Sequence, residues 1–322
     1  MKAITRSKYG GPEVLKITDV PIPEPTAEQV LVSVHYTTVS RTDCGILWGA
    51  PFVFRLFIGL RAPRLKITGS DFAGEIVAIG SAVKKYKVGD RVFGFNDEGL
   101  QSHAAYLVIN ENEALAKIPD NTTFQAAAAS AEGAHYALNY VLSQKMQADS
   151  RVLVNGGTGA IGSASIQLLK SIGAYVVATA PTAHVEKVKL LGADQVIDFQ
   201  NTDFTQCGQE FNFVLDSVGK SEWRKCKPLL LPGGKYLSSE LGPNAENIYL
   251  PILTSFRSRQ VKFPVPVNRK RSINHMAALL GQGVFHPLID REYTPEDIAQ
   301  AFEYVNSGKK IGNVLLNLQR WH

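Results

Sequence analysis

The stretch that decides the fold runs from Val152 to Gly162 and reads VLVNGGTGAIG. A short apolar run leads into a turn in which Gly157, Gly159 and Gly162 have the spacing G-x-G-x-x-G. Apolar side chains then recur at helical spacing, and a second apolar run begins at Tyr175. Strand, glycine turn, helix and strand in this order predict a dinucleotide-binding unit. A purely structural glycine turn is the competing interpretation.

Each glycine of this turn has a physical role. Gly157 permits the tight turn, Gly159 lets the backbone approach a pyrophosphate, and Gly162 lets the helix pack closely on the sheet. The free N–H groups and the dipole at the helix start attract phosphate. The predicted cofactor contacts in the turn are Gly156, Gly157, Thr158, Gly159, Ala160, Ile161 and Gly162.

The end of the second strand indicates which dinucleotide binds. NAD-binding folds usually place an acid there for the ribose 2′-OH. The stretch Ala178–His184 has no carboxylate, and the next acid is Glu186. Because an acid would repel a 2′-phosphate, its absence favours NADP over NAD. Candidate phosphate contacts are Thr179, Thr182, His184 and Lys187, although a solvent-exposed loop histidine is nearly as plausible for His184.

The rest of the chain predicts an α/β fold with a split first domain. Residues 1–122 are strand-rich, with valines at alternate positions in Gln29–Tyr36. Strands and helices alternate over 123–265, which predicts a Rossmann doubly wound parallel sheet. Residues 266–322 contain a helix that starts near Thr294 and a final strand at Val314–Leu318, and we expect this tail to return to the first domain.

Charge and cysteine usage limit the class of protein. The chain has 322 residues and a net charge of +5, with basic residues mostly scattered. The densest cluster, Asn268–Arg271, is a solvated helix start or a weak attraction for phosphate, so no nucleic-acid partner is predicted. Three cysteines without metal-finger spacing indicate free thiols in a reducing compartment.

The start of the chain lacks an apolar signal-peptide core. Pro51–Leu60 is the longest apolar stretch and is interrupted by Arg55, so it is too short to span a membrane. A loop near the substrate mouth or a subunit contact is the alternative for this segment. We therefore expect a cytoplasmic protein.

With these motifs placed, the whole chain resembles the medium-chain dehydrogenase/reductase superfamily, most of all its quinone oxidoreductase (zeta-crystallin-like) branch. The resemblance rests on Tyr9–Leu15, Gly69–Glu75, Val88–Val92 and Leu190–Asp198, in that order and spacing. It implies a GroES-like, partly open β-barrel catalytic domain, divided in sequence around the Rossmann domain. It also implies a cofactor in the cleft between them and homo-oligomers, commonly dimers.

The chain departs from the zinc alcohol dehydrogenases of the superfamily at the metal ligands. Ser40 and Ser70 stand where those enzymes have a cysteine and a histidine, and residues 94–103 lack the cysteines of a structural zinc lobe. Because a hydroxyl is a poor zinc ligand beside thiolate or imidazole, no metal site is predicted.

Without a Lewis acid, alcohol oxidation is disfavoured. We expect hydride transfer from NADPH to an electron-poor small molecule, a quinone or an activated enone, in which the developing charge is delocalised. A 2-alkenal or enone reductase, or a non-catalytic NADPH-binding redox sensor, is the alternative.

The resemblance also implies residues along the cleft. Ser40 and Asp43 are the catalytic candidates, with Ser40 donating a hydrogen bond to the acceptor oxygen; a loop hydroxyl bonded to backbone and a structural carboxylate are the alternatives. Leu241, the Phe263–Val265 segment with Pro264, and Phe199 lie by family position near the cofactor, although core packing could also explain Phe199. Ile46–Phe52 has no tyrosine, so bulk water could supply the proton.

Overall fold

The computed structural model describes residues 1–52, 55–96, 98–265 and 268–322, with only the backbone at Phe57. The predicted apolar segment Pro51–Leu60 therefore lies partly outside the described residues, at Val53 and Phe54. The predicted start of the returning tail, residues 266 and 267, lies outside them as well.

In chain order the strands are β1 (Lys2–Thr5), β2 (Lys16–Asp19), β3 (Gln29–Val39), β4 (Asp71–Ile79), β5 (Arg91–Phe95), β6 (Tyr106–Asn110), β7 (Leu115–Lys117), β8 (Arg151–Asn155), β9 (Tyr175–Ala180), β10 (Gln195–Asp198), β11 (Phe211–Asp216), β12 (Leu230–Ser238), β13 (Gln260–Lys262), β14 (Ile289–Tyr293) and β15 (Asn313–Asn317). The α-helices are α1 (Arg41–Trp48), α2 (Arg55–Ile58), α3 (Phe124–Ala128), α4 (Glu132–Ser143), α5 (Ala160–Ser171), α6 (Val185–Leu190), α7 (Trp223–Cys226), α8 (Glu246–Leu253), α9 (Arg269–Gly281) and α10 (Ile298–Asn306).

Contacts divide the chain into two units. One unit comprises Met1–Glu132 with Asn268–His322, and the other starts at Gly133 and ends before Asn268. The boundary follows Glu132 rather than residue 122, because α3 packs on β3 and β4 of the first unit. The predicted domain limit was therefore placed too early.

The second unit is a six-stranded parallel sheet in the order β10-β9-β8-β11-β12-β13. Strands and helices alternate along it, which confirms the doubly wound α/β fold. Val177, Val214 and Tyr236 are fully buried in its core. The last strand ends at Lys262, shorter than the apolar pattern to Val265, since Pro264 has no N–H for a ladder.

The first unit is built on a sheet in the order β14-β15-β3-β4-β5-β7, with β6 also paired to β3. Most pairs are antiparallel, and β15 lies antiparallel to β3 with Val314 opposite Val39. The C-terminal strands β14 and β15 thus belong to the same sheet as β3, β4, β5 and β7. No helix among the described residues is long and apolar enough to cross a membrane.

Candidate active site

The glycine turn lies at the carboxyl edge of the parallel sheet, between β8 and α5. Gly156 has a φ of +90°, in the region that favours glycine, and Gly159 is the N-cap of α5 with φ −72° and ψ 167°. No side chain caps this helix. The first N–H groups of α5 therefore have no intrahelical acceptor, and the positive end of the helix dipole adds to their attraction for an anion.

The space around Gly162 and Gly159 differs. A Cβ on Gly162 would lie 2.1 Å from the carbonyl oxygen of Gly156, so this glycine is required for helix packing. A Cβ on Gly159 would meet only that same oxygen, at 3.5 Å, an ordinary contact. The fold thus tolerates a side chain at Gly159, and the open space there would let the protein backbone approach a pyrophosphate closely.

Thr179 holds the backbone of the glycine turn in place through hydrogen bonds. Its hydroxyl accepts a hydrogen bond from the Gly156 N–H at 2.8 Å and donates one to Asn155 Oδ1 at 2.9 Å. Asn155 in turn donates to Asp216 Oδ1 at 3.0 Å, and Thr179 is fully buried. The expectation that Thr179 contacts a 2′-phosphate is therefore wrong; it is a positioning residue for the glycine turn.

Thr179→Val is expected to lower the free energy of unfolding by about 2 kcal/mol, because two buried polar groups lose their partner while the side-chain volume is kept. Urea unfolding measures this value. Thr202→Val, at an exposed threonine, is the matched control and should change stability by less than about 0.5 kcal/mol. Equal stability of the two variants would contradict the positioning role.

Thr182, His184 and Phe199 lie beyond the ends of β9 and β10. Thr182 is exposed, and its hydroxyl donates to Asp198 Oδ2 at 2.6 Å. His184 is partly exposed and Phe199 is 49% exposed, so core packing does not account for Phe199.

Asp198 is an acid near this strand end that lies outside the stretch Ala178–His184. It lies at the end of β10, opposite Ala180 of β9. Hydrogen bonds hold the pKa of Asp198 below its usual range, and the bond from Thr182 has the largest effect. The sequence signal was available in the stretch Val196-Ile197-Asp198, but only the pairing of β10 with β9 brings that carboxylate beside Thr182.

Leu241 and Pro264 follow β12 and β13 of the same sheet. Leu241 comes after β12 and is 37% exposed, and its carbonyl accepts from the Asn247 N–H. Pro264 is buried, and its carbonyl accepts from Asn139 Nδ2 at 3.1 Å. Because parallel strands end at one edge, the topology brings Leu241 to the edge that carries the glycine turn.

Ser40 and Asp43, in the first unit, form a capping box at the start of α1. The Ser40 Oγ accepts from the Asp43 N–H at 3.0 Å, and the Ser40 N–H donates to Asp43 Oδ2 at 2.9 Å. The Ser40 hydroxyl also donates to Asp43 Oδ2 at 2.9 Å. While Asp43 is ionised, Ser40 therefore has no proton for an acceptor oxygen, and its geometry is that of a helix cap.

Asp43 is buried within a group of charged side chains. Burial raises the pKa of Asp43 to about 6, although hydrogen bonds from Ser40 and the charge of Arg6 act in the opposite direction. Burial and the charge of Asp43 raise the pKa of Glu132 to about 7, against the charge of Lys310. Burial also lowers the pKa of Lys310.

Glu132 and Lys310 are site candidates that sequence reasoning missed. Glu132 is the only acid in the alanine-rich stretch 124–143, which was a usable signal. Lys310 lies in the loop before β15, far away in sequence, and only the return of the tail brings it close.

Two protein-family models match separate parts of the chain. Residues 26–126 match the alcohol dehydrogenase GroES-like domain, and residues 191–316 match the zinc-binding dehydrogenase family. The second description implies zinc, but the residues do not fit it. The Ser40 hydroxyl serves the α1 cap, and among the described residues no three His, Cys, Asp or Glu side chains form a metal-binding group.

Two curated relatives and one solved structure are similar over most of the chain. The quinone oxidoreductase of Rattus norvegicus is 28% identical, over 99% of this chain and 98% of its own. The chloroplastic NADPH-dependent alkenal/one oxidoreductase of Arabidopsis thaliana is 32% identical, over 74% of this chain and 62% of its own. The quinone oxidoreductase of Coxiella burnetii superposes with a TM-score of 0.89 at 24% identity, covering 99% of each chain. The chain belongs to the medium-chain dehydrogenase/reductase superfamily, in its quinone oxidoreductase branch.

Proposed function

We propose that the chain is an NADPH-dependent oxidoreductase that transfers hydride to a quinone or an activated enone without zinc. The glycine turn carries the proposal: an uncapped helix start faces space that only glycine leaves open, at the carboxyl edge of a parallel sheet. The rat relative is named for quinone reduction, and the Arabidopsis relative for NADPH-dependent alkenal and enone reduction.

Bound NADPH would supply the hydride, and the chain would supply position. The N–H groups at the start of α5 would hold the pyrophosphate, and Thr179 would keep Gly156 in place for it. Phe199, Leu241 and Pro264 would line the cofactor site. With serine at the zinc-ligand positions the acceptor must be electron-poor, which favours quinones and enones over simple ketones.

Ser40 and Asp43 would deliver the proton that the reduced acceptor requires. When Asp43 is protonated, its O–H can donate to Ser40 Oγ, which releases the Ser40 hydroxyl to donate to the oxyanion. The proton then passes from Asp43 through Ser40 to the acceptor oxygen, and water reprotonates Asp43. Burial raises the pKa of Asp43 to about 6, so a fraction of the carboxyl carries this proton near neutral pH.

The pH profile of kcat tests this relay. Because the pKa of Asp43 is raised to about 6, the protonated fraction falls as pH rises through that value, and kcat should fall with it. Asp43→Asn keeps an oxygen for the helix cap but carries no transferable proton. It should lower kcat about tenfold at pH 6, less than a dedicated general acid contributes because water can substitute, and remove the pH step. An unchanged profile in this variant would contradict the relay.

Oxidation of NADPH against a panel of quinones, enones and simple aldehydes tests the function itself, with NADH measured beside it. We expect turnover with quinones or enones, little with simple aldehydes, and a preference for NADPH. Tight NADPH binding without turnover of any acceptor would favour the redox sensor. A preference for NADH would contradict the NADP assignment and would point to Asp198 as the residue that disfavours a 2′-phosphate.

A homo-oligomer, most simply a dimer, is part of the same proposal. Ile252 is 75% exposed and Phe256 fully exposed near β13, the edge strand of the parallel sheet, and such apolar surface favours a subunit contact. Sedimentation velocity measures the assembly state. We also propose a cytoplasmic location, on the ground that Cys44, Cys207 and Cys226 are all free thiols.

A further inference from the structure

The described residues between Phe52 and Lys66 combine exposed apolar and basic side chains that neither the core nor the proposed chemistry uses. No Asp or Glu occurs between Asp43 and Asp71, whereas four cations do: Arg55, Arg61, Arg64 and Lys66. Its described exposed apolar residues are Phe52 (65%), Leu56 (57%), Leu60 (54%) and Leu65 (37%). We refer to the described residues between Phe52 and Lys66 as the basic apolar loop.

The basic apolar loop is held on the first unit by fixed contacts. Arg55 donates to the Gly49 carbonyl at 3.0 Å and to the Trp48 carbonyl at 3.3 Å, where α1 ends. Its guanidinium also lies 4.6 Å from the centre of the Tyr9 ring. The tip is closed by a hydrogen bond from the Arg64 N–H to the Ile58 carbonyl at 2.9 Å. The exposed side chains are therefore presented from a defined backbone.

Three cations of the loop have no ion-pair partner in the part of the chain that the structure describes. Arg61, Arg64 and Lys66 are exposed, and none of them forms an ion pair with another described residue. Leu65 lies close to Gly99, but the neighbouring Glu98 faces Arg269 at 3.8 Å. The loop thus presents a local positive charge beside exposed leucines.

We propose that the basic apolar loop docks the protein on an anionic lipid surface. Leucine and phenylalanine side chains can enter the boundary between headgroups and acyl chains while arginine and lysine reach anionic headgroups. A second copy fits less well, because a two-fold contact would set the three cations Arg61, Arg64 and Lys66 against the same three. A neutral apolar ligand would leave the cations without a partner. Docking would bring the protein to the lipid phase, in which apolar acceptors dissolve.

Flotation with lipid vesicles tests the docking and does not depend on turnover. Wild-type chain should bind vesicles with about 30 mol% phosphatidylglycerol at low salt and should not bind pure phosphatidylcholine. Binding should weaken at about 1 M salt, where the Debye length is about 3 Å. The triple variant Arg61→Glu, Arg64→Glu, Lys66→Glu should bind at least about 100-fold more weakly, at roughly fivefold for each cation.

Two controls distinguish binding by the basic apolar loop from a general effect of net charge or of exposed apolar surface. Lys227→Glu, Arg257→Glu, Lys309→Glu changes three exposed cations elsewhere by the same net charge and should keep most of the binding. Leu60→Gln should weaken binding several-fold, whereas Leu190→Gln, at a residue 88% exposed, should not. Thermal unfolding and NADPH affinity confirm that each variant is folded.

Several outcomes would overturn the proposal. They are absence of wild-type binding to anionic vesicles, equal loss in the two triple variants, or full binding by the loop variant. A change of sedimentation coefficient in the loop variant, without vesicle binding by the wild type, would instead assign the loop to a contact between copies. None of these outcomes bears on NADPH oxidation with a water-soluble acceptor, so failure of the docking and failure of the proposed function are distinguishable.

Discussion

Gly159→Ala is expected to weaken NADPH binding about 100-fold while leaving the chain folded. The backbone of Gly159, at φ −72°, suits alanine, and the new Cβ would meet protein only at 3.5 Å. The methyl group would occupy the space that the pyrophosphate needs above the start of α5. Loss of one charge-assisted hydrogen bond, at about 1.5–3 kcal/mol, gives an effect of this size at the upper end of that range. Fluorescence titration with NADPH measures it.

Two other glycines serve as controls for this result. Gly162→Ala should behave differently, because its Cβ would lie 2.1 Å from the backbone of Gly156 and must lower stability as well as affinity. Gly281→Ala lies in α9, where the Cβ would meet Pro119 at 3.5 Å, and should leave affinity unchanged. If Gly159→Ala bound NADPH as tightly as wild type, the glycine turn would not be the pyrophosphate site.

As pH rises from about 4.5 to about 8, the free energy of unfolding of Glu132→Gln is expected to increase by about 3 kcal/mol relative to that of wild type. Burial raises the pKa of Glu132 to about 7 from its ordinary value of 4.5, and each pKa unit corresponds to about 1.4 kcal/mol. Between these values the folded chain binds the proton and the unfolded chain does not. The contribution of Glu132 to the free energy of unfolding therefore falls as pH rises through this window.

A difference between variants is needed because other groups titrate in the same range. Burial lowers the pKa of His103 to about 4, so this histidine reduces stability as pH falls below its ordinary value. The comparison of Glu132→Gln with wild type cancels that contribution. Glu186→Gln, at a side chain 81% exposed, is the matched control and should show a flat difference. Urea unfolding at several pH values measures both, and a flat difference for Glu132→Gln would contradict its burial as an acid.

The parts of the fold and site that the sequence predicted are those that depend on local pattern. The glycine spacing and the alternation of strands and helices identified the turn and the parallel sheet, because turn geometry and one-sided burial act over a few residues. The order of motifs also led to the correct superfamily.

The site residues that the sequence did not reveal are brought together by contacts between distant segments. Asp198 approaches Thr182 through the pairing of β10 with β9, and Lys310 approaches Glu132 through the return of the tail. The expectation that Thr179 contacts the phosphate fails because sequence position does not tell which groups its hydroxyl bonds, here Gly156 N–H and Asn155 Oδ1. The domain limit was misplaced for a related reason: helical composition does not say which sheet a helix covers.

The central claim is hydride transfer from NADPH to an electron-poor acceptor without a metal. It is tested most directly with NADPH carrying deuterium at the transferable C4 position, an enone acceptor, and chain dialysed against a chelator. The account predicts that the product carries deuterium at its β-carbon and that the dialysed chain, free of stoichiometric zinc, retains full activity. A product without the label, or activity that is lost on dialysis and restored by zinc, would contradict it.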